Sequence, residues 1–146
     1  MTKTRPAPQR GFTLIEIMVV LVIIGLLAVI IVPSVMDRPD EARRIKASQD
    51  IQSLKNALKL YRLDNFRYPS QAEGLQALVV KPDSARNWKG PYVESLPSDP
   101  WDGDYRYRIP GRDGKPIDVY TLGADGREGG EGPDLDIGTW NLDSLQ

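Results

Sequence analysis

Residues 11–36 read GFTLIEIMVVLVIIGLLAVIIVPSVM, and the rest of the chain is arranged around this apolar run. Its last 20 residues, Ile17–Met36, contain no charged side chain. A helix of that length spans about 30 Å, which matches the hydrocarbon core of a bilayer. Val, Ile and Leu would lie on all sides of it, so the helix is not amphipathic. The run therefore predicts a membrane-spanning helix. The alternative, a buried core helix, would need more apolar sequence around it than this chain has.

The residues before the apolar run form a short basic leader. They include Lys3, Arg5 and Arg10 and no acid, which favours a cytoplasmic location for the leader. A secretory signal peptide would have a small-residue cleavage site after its apolar region. Here the small residue Gly11 precedes that region, so the segment is not an ordinary signal peptide.

Glu16 places a carboxylate near the start of the predicted membrane helix. A charge at the bilayer centre costs roughly 2.5–3.5 kcal/mol on insertion scales, and less near the interface. Two interpretations remain open from the residues alone. Either Glu16 lies among the lipid headgroups, or a positive partner compensates its charge.

The composition excludes several classes of protein. The chain has 146 residues, which leaves one small soluble domain beyond the apolar run. It contains no cysteine and no histidine, so disulfides, the usual zinc sites and the common nucleophile–base pairs are excluded. No basic patch with interleaved aromatic residues is present, so we expect no nucleic-acid partner.

From residue 40 to about residue 64, the sequence follows a helical pattern. Five apolar residues recur at helical spacing and form one stripe: Ala47, Ile51, Leu54, Leu58 and Tyr61. With barely two heptads, we expect this stripe to cover the core of its own domain rather than form a coiled coil. Pro39 suggests that the helix restarts there, with Asp37 as its cap.

The remaining elements are short. Ser70-Gln71-Ala72-Glu73 is a capping box, which predicts a second helix with Leu75, Leu78 and Val79 on one face. An ordered loop over residues 81–100 should be pinned to the core by Trp88, Tyr92, Val93 and Leu96.

Two segments of alternating pattern, residues 104–109 and 117–122, predict a β-hairpin. A two-stranded hairpin alone is marginal, so we also predict a third strand near residues 137–141. The expected fold class is α+β: a long N-terminal helix packed on a small antiparallel sheet of about three strands.

Residues 122–140 read LGADGREGGEGPDLDIGTW and are rich in glycine and acids. One interpretation is a solvated, disordered loop. However, Ile137 and Trp140 need burial, and the glycines would let four carboxylates converge: Asp125, Glu131, Asp134 and Asp136. Carboxylates and free carbonyls are the ligands of Ca²⁺. The loop is not an EF-hand, because Arg127 stands where that motif needs an acid.

The N-terminal residues carry a family resemblance. GFTLIE at residues 11–16, after a basic leader and before the apolar run, resembles the type III signal of type IV pilins and pseudopilins. The resemblance implies cleavage after Gly11 by a prepilin peptidase and N-methylation of Phe12. It also implies that Glu16 meets the new N-terminus of a neighbouring copy. The expected parts are a leader (1–11), an assembly helix (12–36) and a periplasmic domain (37–146).

Later segments narrow the resemblance. YP at 68–69, EGLQAL at 73–78, LPSDPW at 96–101 and the acidic loop resemble the major pseudopilins of type II secretion systems. The family implies one structural Ca²⁺ in the loop. On matching positions its ligands are the carbonyl of Leu122 and the side chains of Asp125 and Asp134, with Asp136 and nearby carbonyls as further candidates. DPWDGDY at 99–105 and Pro39 depart from the family pattern.

The resemblance implies a non-enzymatic subunit of a short periplasmic fibre, anchored in the bacterial inner membrane by a single pass. Its implied partners are further copies of the chain, minor pseudopilins, the prepilin peptidase, the inner-membrane assembly platform, the outer-membrane secretin and the exported proteins. Three alternatives are kept. They are a type IV pilin for adhesion or motility, a membrane-tethered periplasmic enzyme with a carboxylate pair, such as a glycosidase, and an anchor protein that never polymerises.

Overall fold

A computed structural model describes the backbone of residues 11–145 and the side chains of residues 11–27 and 39–144. Residues 1–10 of the predicted leader therefore lie outside the described part. The same holds for the side chains of residues 28–36 in the predicted membrane segment. The chain divides into two compact units, Met1–Arg38 and Pro39–Gln146.

A single long helix, α1, runs from Leu14 to Asn65. Its bounds include both Pro33 and Pro39, so the predicted restart of the helix at Asp37 is wrong. A proline removes one backbone hydrogen bond and crowds the preceding turn. The 52-residue helix keeps its other backbone hydrogen bonds on both sides of each proline, so it continues through Pro33 and Pro39.

In the first unit, the described side chains of α1 are all exposed, Leu14 to Leu27 included. The large apolar ones, and Phe12 just before the helix, are between 48% and 84% exposed. In the part of the chain that the structure describes, no helix is both long and apolar enough to cross a membrane.

In the second unit, α1 buries one face against the rest of the domain. All five residues of the predicted stripe are at most 1% exposed, which confirms the prediction from helical spacing. They pack in one cluster with Leu78, Tyr107, Val119 and Ile137. The helix therefore lies against the sheet and the connecting segments through this stripe.

The sheet has three antiparallel strands in the order β1-β2-β3: β1 is Arg106–Arg108, β2 is Asp118–Thr121 and β3 is Ile137–Gly138. Tyr107 pairs with Val119, and Thr121 pairs with Ile137. The predicted hairpin and third strand are both confirmed, although each strand is shorter than its alternating segment.

Both faces of β2 are covered, which alternation alone did not indicate. The carboxylate of Asp118 accepts hydrogen bonds from the backbone N–H of Arg112 (2.7 Å) and from Thr139 Oγ1 (3.0 Å). Tyr120 packs against Trp140, with ring centroids 5.4 Å apart. Asp118 thus ties the hairpin turn to the residue after β3, because its two carboxylate oxygens each have a partner.

The predicted capping box forms. Glu73 accepts a hydrogen bond from the backbone N–H of Ser70 (2.6 Å), and Ser70 Oγ accepts one from that of Glu73 (3.3 Å). The helix that follows is a single 3₁₀ turn, Leu75–Leu78. Two side-chain hydrogen bonds from Arg67 (2.7 and 2.9 Å), followed by those from Ser84 and Ser70, hold the pKa of Glu73 far below its ordinary value.

The loop after this turn is held to the core as predicted. Trp88, Tyr92, Val93 and Leu96 are partly buried against the cluster. Trp88 Nε1 donates to the carbonyl of Ala77 at 2.9 Å. The aromatic residues of this segment therefore serve as packing anchors.

Gln71 lies across the free edge of β1. Its side-chain amide donates to the carbonyl of Tyr107 (2.8 Å), and its amide oxygen accepts from the backbone N–H of Ile109 (3.0 Å). One side chain thereby satisfies two backbone groups that a further strand would otherwise pair with.

Candidate functional site

In the N-terminal signal, the carboxylate of Glu16 is hydrogen-bonded by a residue of the same chain. Gly11 and Phe12 are exposed, and α1 begins two residues later at Leu14. Glu16 accepts hydrogen bonds from the backbone N–H of Thr13 (2.7 Å) and from Thr13 Oγ1 (2.9 Å). Thr13 and Glu16 thus form the contacts of a capping box at the positive end of the helix dipole.

This local partner was missed in the sequence analysis, which sought a partner for Glu16 only outside the chain. The spacing T-x-x-E at residues 13–16 is the signal that would have found it. Beside Glu16 lies a shallow, mainly apolar concavity of about 350 Å³, lined also by Phe12, Ile15, Val19 and Val20. The site is therefore one charge among apolar side chains that have most of their surface exposed.

The acidic loop is folded back on itself. The backbone N–H of Ala124 donates to the carbonyl of Pro133 at 3.0 Å, joining the two arms of the loop. Gly123 has a φ of +66°, and a Cβ atom there would lie 2.8 Å from the carbonyl carbon of Asp134. Only glycine fits this close approach, so the residue type at position 123 allows the two arms of the loop to meet.

The predicted loop ligands occupy different environments. The backbone at Leu122 leads from β2 into the loop. Asp125 is exposed and accepts from the backbone N–H of Arg127 at 3.0 Å, and Asp134 is half-buried. Asp136 is only 7% exposed. Its Oδ2 accepts from the backbone N–H of Gly129 at 3.1 Å, while its buried Oδ1 has no hydrogen-bond partner.

Across the described residues, no three acidic side chains are grouped closely enough to hold a metal ion. Any ion in the loop would therefore need backbone carbonyls among its ligands. The unpartnered Oδ1 of Asp136 nevertheless fits a cation, because a buried carboxylate oxygen without a partner is costly. No salt bridge in the described part of the chain involves Asp125, Asp134 or Asp136. The oxygen donors suit Ca²⁺ rather than a softer metal.

Two residues that the sequence analysis missed brace the start of this loop. Asp99 is buried; it accepts a hydrogen bond from the Thr121 hydroxyl and another from the backbone N–H of Trp101 (3.0 Å). Thr121 Oγ1 in turn accepts from the backbone N–H of Gly123 at 3.2 Å. The Asp-Pro pair at 99–100 is a turn signal, but its contact with Thr121 depends on the folded chain.

Comparison with known proteins identifies the family. A family model described as type II secretion system (T2SS), protein G matches residues 34–140, and one for the prokaryotic N-terminal methylation motif matches residues 6–32. The type II secretion system core protein G of Pseudomonas aeruginosa is 54% identical over 137 residues, which cover 91% of this chain and 96% of that protein. The protein of the same name from Vibrio cholerae is 52% identical over 141 residues, which cover 94% of this chain and 96% of that protein.

A solved structure agrees with these relatives. The crystal structure of the major pseudopilin from the type 2 secretion system of enterohaemorrhagic Escherichia coli is 42% identical, with a TM-score of 0.62. The match covers 73% of this chain and 93% of that one. The predicted resemblance and the helix-plus-sheet fold class are thereby confirmed. The chain belongs to the type II secretion system protein G family, the family of the major pseudopilins.

Proposed function

We propose that this chain is the repeating subunit of a periplasmic pseudopilus that drives the export of folded proteins across the outer membrane. The observation that carries the proposal is the division of α1. Its second half has its apolar partner within the chain, whereas the apolar side chains of Leu14–Leu27 are all exposed. A subunit that polymerises through its N-terminal helix needs this arrangement. Its role is structural, without a catalytic step.

The sequence before α1 supports a defined order of processing. The precursor is inserted in the inner membrane by its charge-free run, with the leader in the cytoplasm and residues 37–146 in the periplasm. The prepilin peptidase cuts after Gly11, and the exposed Phe12 becomes the methylated N-terminus. The match to the N-terminal methylation motif at residues 6–32 supports this step.

Glu16 is the residue that we assign to assembly. In the fibre, the charge of Glu16 is compensated by the N-terminal amine of Phe12 on a neighbouring copy. The hydrogen bonds from Thr13 hold the Glu16 carboxylate at the first turn until that amine arrives. The inner-membrane platform, minor pseudopilins and the secretin are the further partners of a fibre that acts in secretion.

The test is a Glu16→Ala variant of the full chain, produced together with its secretion apparatus. We expect the variant to insert into the membrane at least as well as the unchanged protein, because an uncompensated charge has been removed. We expect cross-linked multimers and secretion to be lost. Glu41→Ala, which removes an exposed acid of α1 in the second unit, is the matched control. Normal multimers of Glu16→Ala would overturn the assigned role.

We propose further that the loop holds one structural Ca²⁺. The carbonyl of Leu122 and the carboxylates of Asp125, Asp134 and Asp136 would hold it, together with nearby backbone carbonyls. The ion would offset the mutual repulsion of the loop acids and provide a partner for the buried Oδ1 of Asp136. Its role would be to stabilise the fold, because a cation bound only by the native state adds to the free energy of unfolding.

The calcium proposal is tested by melting the full chain in detergent with excess Ca²⁺, with Mg²⁺ and with a chelator. At 100 times its Kd, a ligand adds about 2.7 kcal/mol, which corresponds to several degrees for a domain of this size. We expect a rise specific to Ca²⁺ that Asp136→Asn abolishes and Glu128→Gln, an exposed acid of the same loop, retains. The absence of a shift in the unchanged protein would overturn the metal site.

A further inference from the structure

The C-terminal end of α1 exposes large apolar side chains that its own domain does not cover. Leu63 is 70% exposed and Phe66, just after the helix, is 85% exposed. Phe66 also has a φ of +59°, a conformation in which bulky residues are uncommon and glycine is usual. Neither burial nor local backbone preference explains an aromatic residue at this position, so its surface is available to another molecule.

Three exposed cations lie at this end of α1: Arg62, Arg86 and Lys89. Arg86 and Lys89 line a groove together with Leu63 and Phe66. Arg62, in the last turn of the helix, has its guanidinium over the ring of Tyr68, 5.1 Å from the centroid. Lys89 pairs with Asp64 at 3.2 Å, while Arg62 and Arg86 have no carboxylate partner in the part of the chain that the structure describes. We call Arg62, Leu63, Phe66, Arg86 and Lys89 the helix-end patch.

A shallow groove of about 460 Å³ passes along Leu63, Phe66, Arg86 and Lys89 of the helix-end patch. Asp64, Asn87 and Trp88 complete its lining. The lining combines apolar side chains with two bases, Arg86 and Lys89, against one acid, Asp64, and this suits a slender, anionic segment. Electrostatic complementarity of this kind fixes partner choice and register more than it adds affinity.

The acidic loop of the same protein has the complementary properties. Between residues 124 and 134 it carries four acids (Asp125, Glu128, Glu131, Asp134) and one base, Arg127, a net charge of −3. Glu128 and Glu131 are exposed and are not among the proposed Ca²⁺ ligands. Glu128 meets Arg108 only at 3.5 Å. Four glycines in this stretch leave the loop without bulky side chains: Gly126, Gly129, Gly130 and Gly132.

We propose that the helix-end patch of one copy receives the acidic loop of a second copy, with Glu128 and Glu131 facing Arg62 and Arg86. The inference rests on the proposed fibre and names one of its contacts. Because the two surfaces differ, the contact is heterologous, and repeating it builds an open helical filament rather than a closed dimer.

The direct test is cross-linking between single-cysteine variants of the full chain, produced with the secretion apparatus. The protein has no cysteine of its own, so every sulfur that this chain contributes to a link is an introduced one. Phe66→Cys with one epitope tag is produced together with Glu131→Cys carrying another. The matched control pairs Glu131→Cys with Val80→Cys, an apolar residue that is 56% exposed and lies outside the patch. We expect the first pair to give about tenfold more mixed-tag dimer, which corresponds to 1.4 kcal/mol of preference.

Charge reversal gives an independent readout. Arg86→Glu and Glu131→Arg should each reduce the yield of multimers, because each places like charges together, and their combination should restore it. Both side chains are exposed, so the melting temperature of either variant should match that of the unchanged protein. Restoration by the second change excludes misfolding as the cause of a loss.

The outcomes separate this contact from the fibre itself. If the unchanged chain forms multimers but Phe66 links to Glu131 no better than Val80 does, and Arg86→Glu assembles normally, the contact is wrong and the fibre proposal stands. If Phe66→Cys links mainly to an exported protein, the assigned occupant is wrong. If the unchanged chain forms no multimers at all, both proposals fail.

Discussion

The two halves of α1 belong to one helix but differ in whether their apolar side chains are exposed or buried. From Leu14 to Leu27 the described residues are almost all apolar, and every side chain is exposed. After Pro39, apolar residues are confined mainly to one face, and that face is buried. The second half meets its sheet within the same chain. In the first half the described apolar side chains are exposed, which agrees with the proposal that other copies of the subunit cover them.

The largest expected effect comes from truncating a buried side chain of the second half. Leu58→Ala should lower the free energy of unfolding by about 3 kcal/mol, because the change leaves a cavity among fully buried neighbours. Leu21→Ala, the same change in the first half, should alter it by less than about 0.5 kcal/mol. Denaturant unfolding of the full chain in detergent, followed by tryptophan fluorescence, reports on the second unit alone, because all three tryptophans lie there. If both variants lowered the free energy of unfolding equally, the proposed difference between the two halves would be wrong.

The stability of the second unit should depend on pH through Glu73. The pKa of Glu73 is lowered in the folded protein, chiefly by the hydrogen bonds from Arg67, from an ordinary value near 4.5. A lowered pKa gives stability that is fully present above the unfolded value and is lost as pH falls below it. Glu73→Gln should therefore cost roughly 2 kcal/mol at pH 7 and flatten the acid side of the stability curve below about pH 4.5. The stabilities of the variant and the unchanged protein should converge at low pH.

The control for this prediction is Glu94→Gln, which removes an exposed acid that forms no salt bridge within the described chain. It should leave both the stability at pH 7 and the shape of the curve unchanged. If the stability of Glu73→Gln fell at low pH in the same way as that of the unchanged protein, the Arg67 contact would not stabilise the second unit.

The start of α1, in the first half, depends on its cap. Thr13→Ala removes the side chain that bonds both the backbone N–H and the carboxylate of Glu16. Loss of such a cap costs about 1 kcal/mol. Amide hydrogen exchange should accelerate in the first turn of α1, while tryptophan-detected unfolding stays the same. Unchanged exchange in that turn would mean that Thr13 does not hold the start of the helix.

The elements that the sequence predicted correctly are those with a regular period. The spacing of Ala47, Ile51 and Leu54 identified the buried stripe of α1, and alternation around Tyr107 and Val119 identified the hairpin. In both, the apolar residues repeat at the period of the element itself. The prediction at Pro39 failed because a local signal for helix termination was outweighed by the helix on either side.

The contacts that were missed join residues far apart in the chain. Asp99 meets Thr121 across 22 residues, and Gln71 meets Tyr107 across 36. No local pattern specifies such pairs, since each depends on how the sheet and the 70–100 segment pack. In the acidic loop, residue types indicated oxygen ligands, but the positions of those oxygens depend on positive-φ backbone at glycines such as Gly123. The calcium ligands stay a prediction from residue type, and the folded-back arrangement of the loop could not be predicted from the sequence.

The side chain of Gln71 has a consequence for how this protein polymerises. An exposed strand edge is a template for cross-β growth, the irreversible route by which many fibres become amyloid. By bonding to Tyr107 and Ile109, Gln71 closes part of the β1 edge from within the chain. Copies of this subunit are thus steered away from strand addition and toward contacts between side chains on helices and loops. Such contacts can be made and broken repeatedly, unlike the strand pairing of a cross-β fibre.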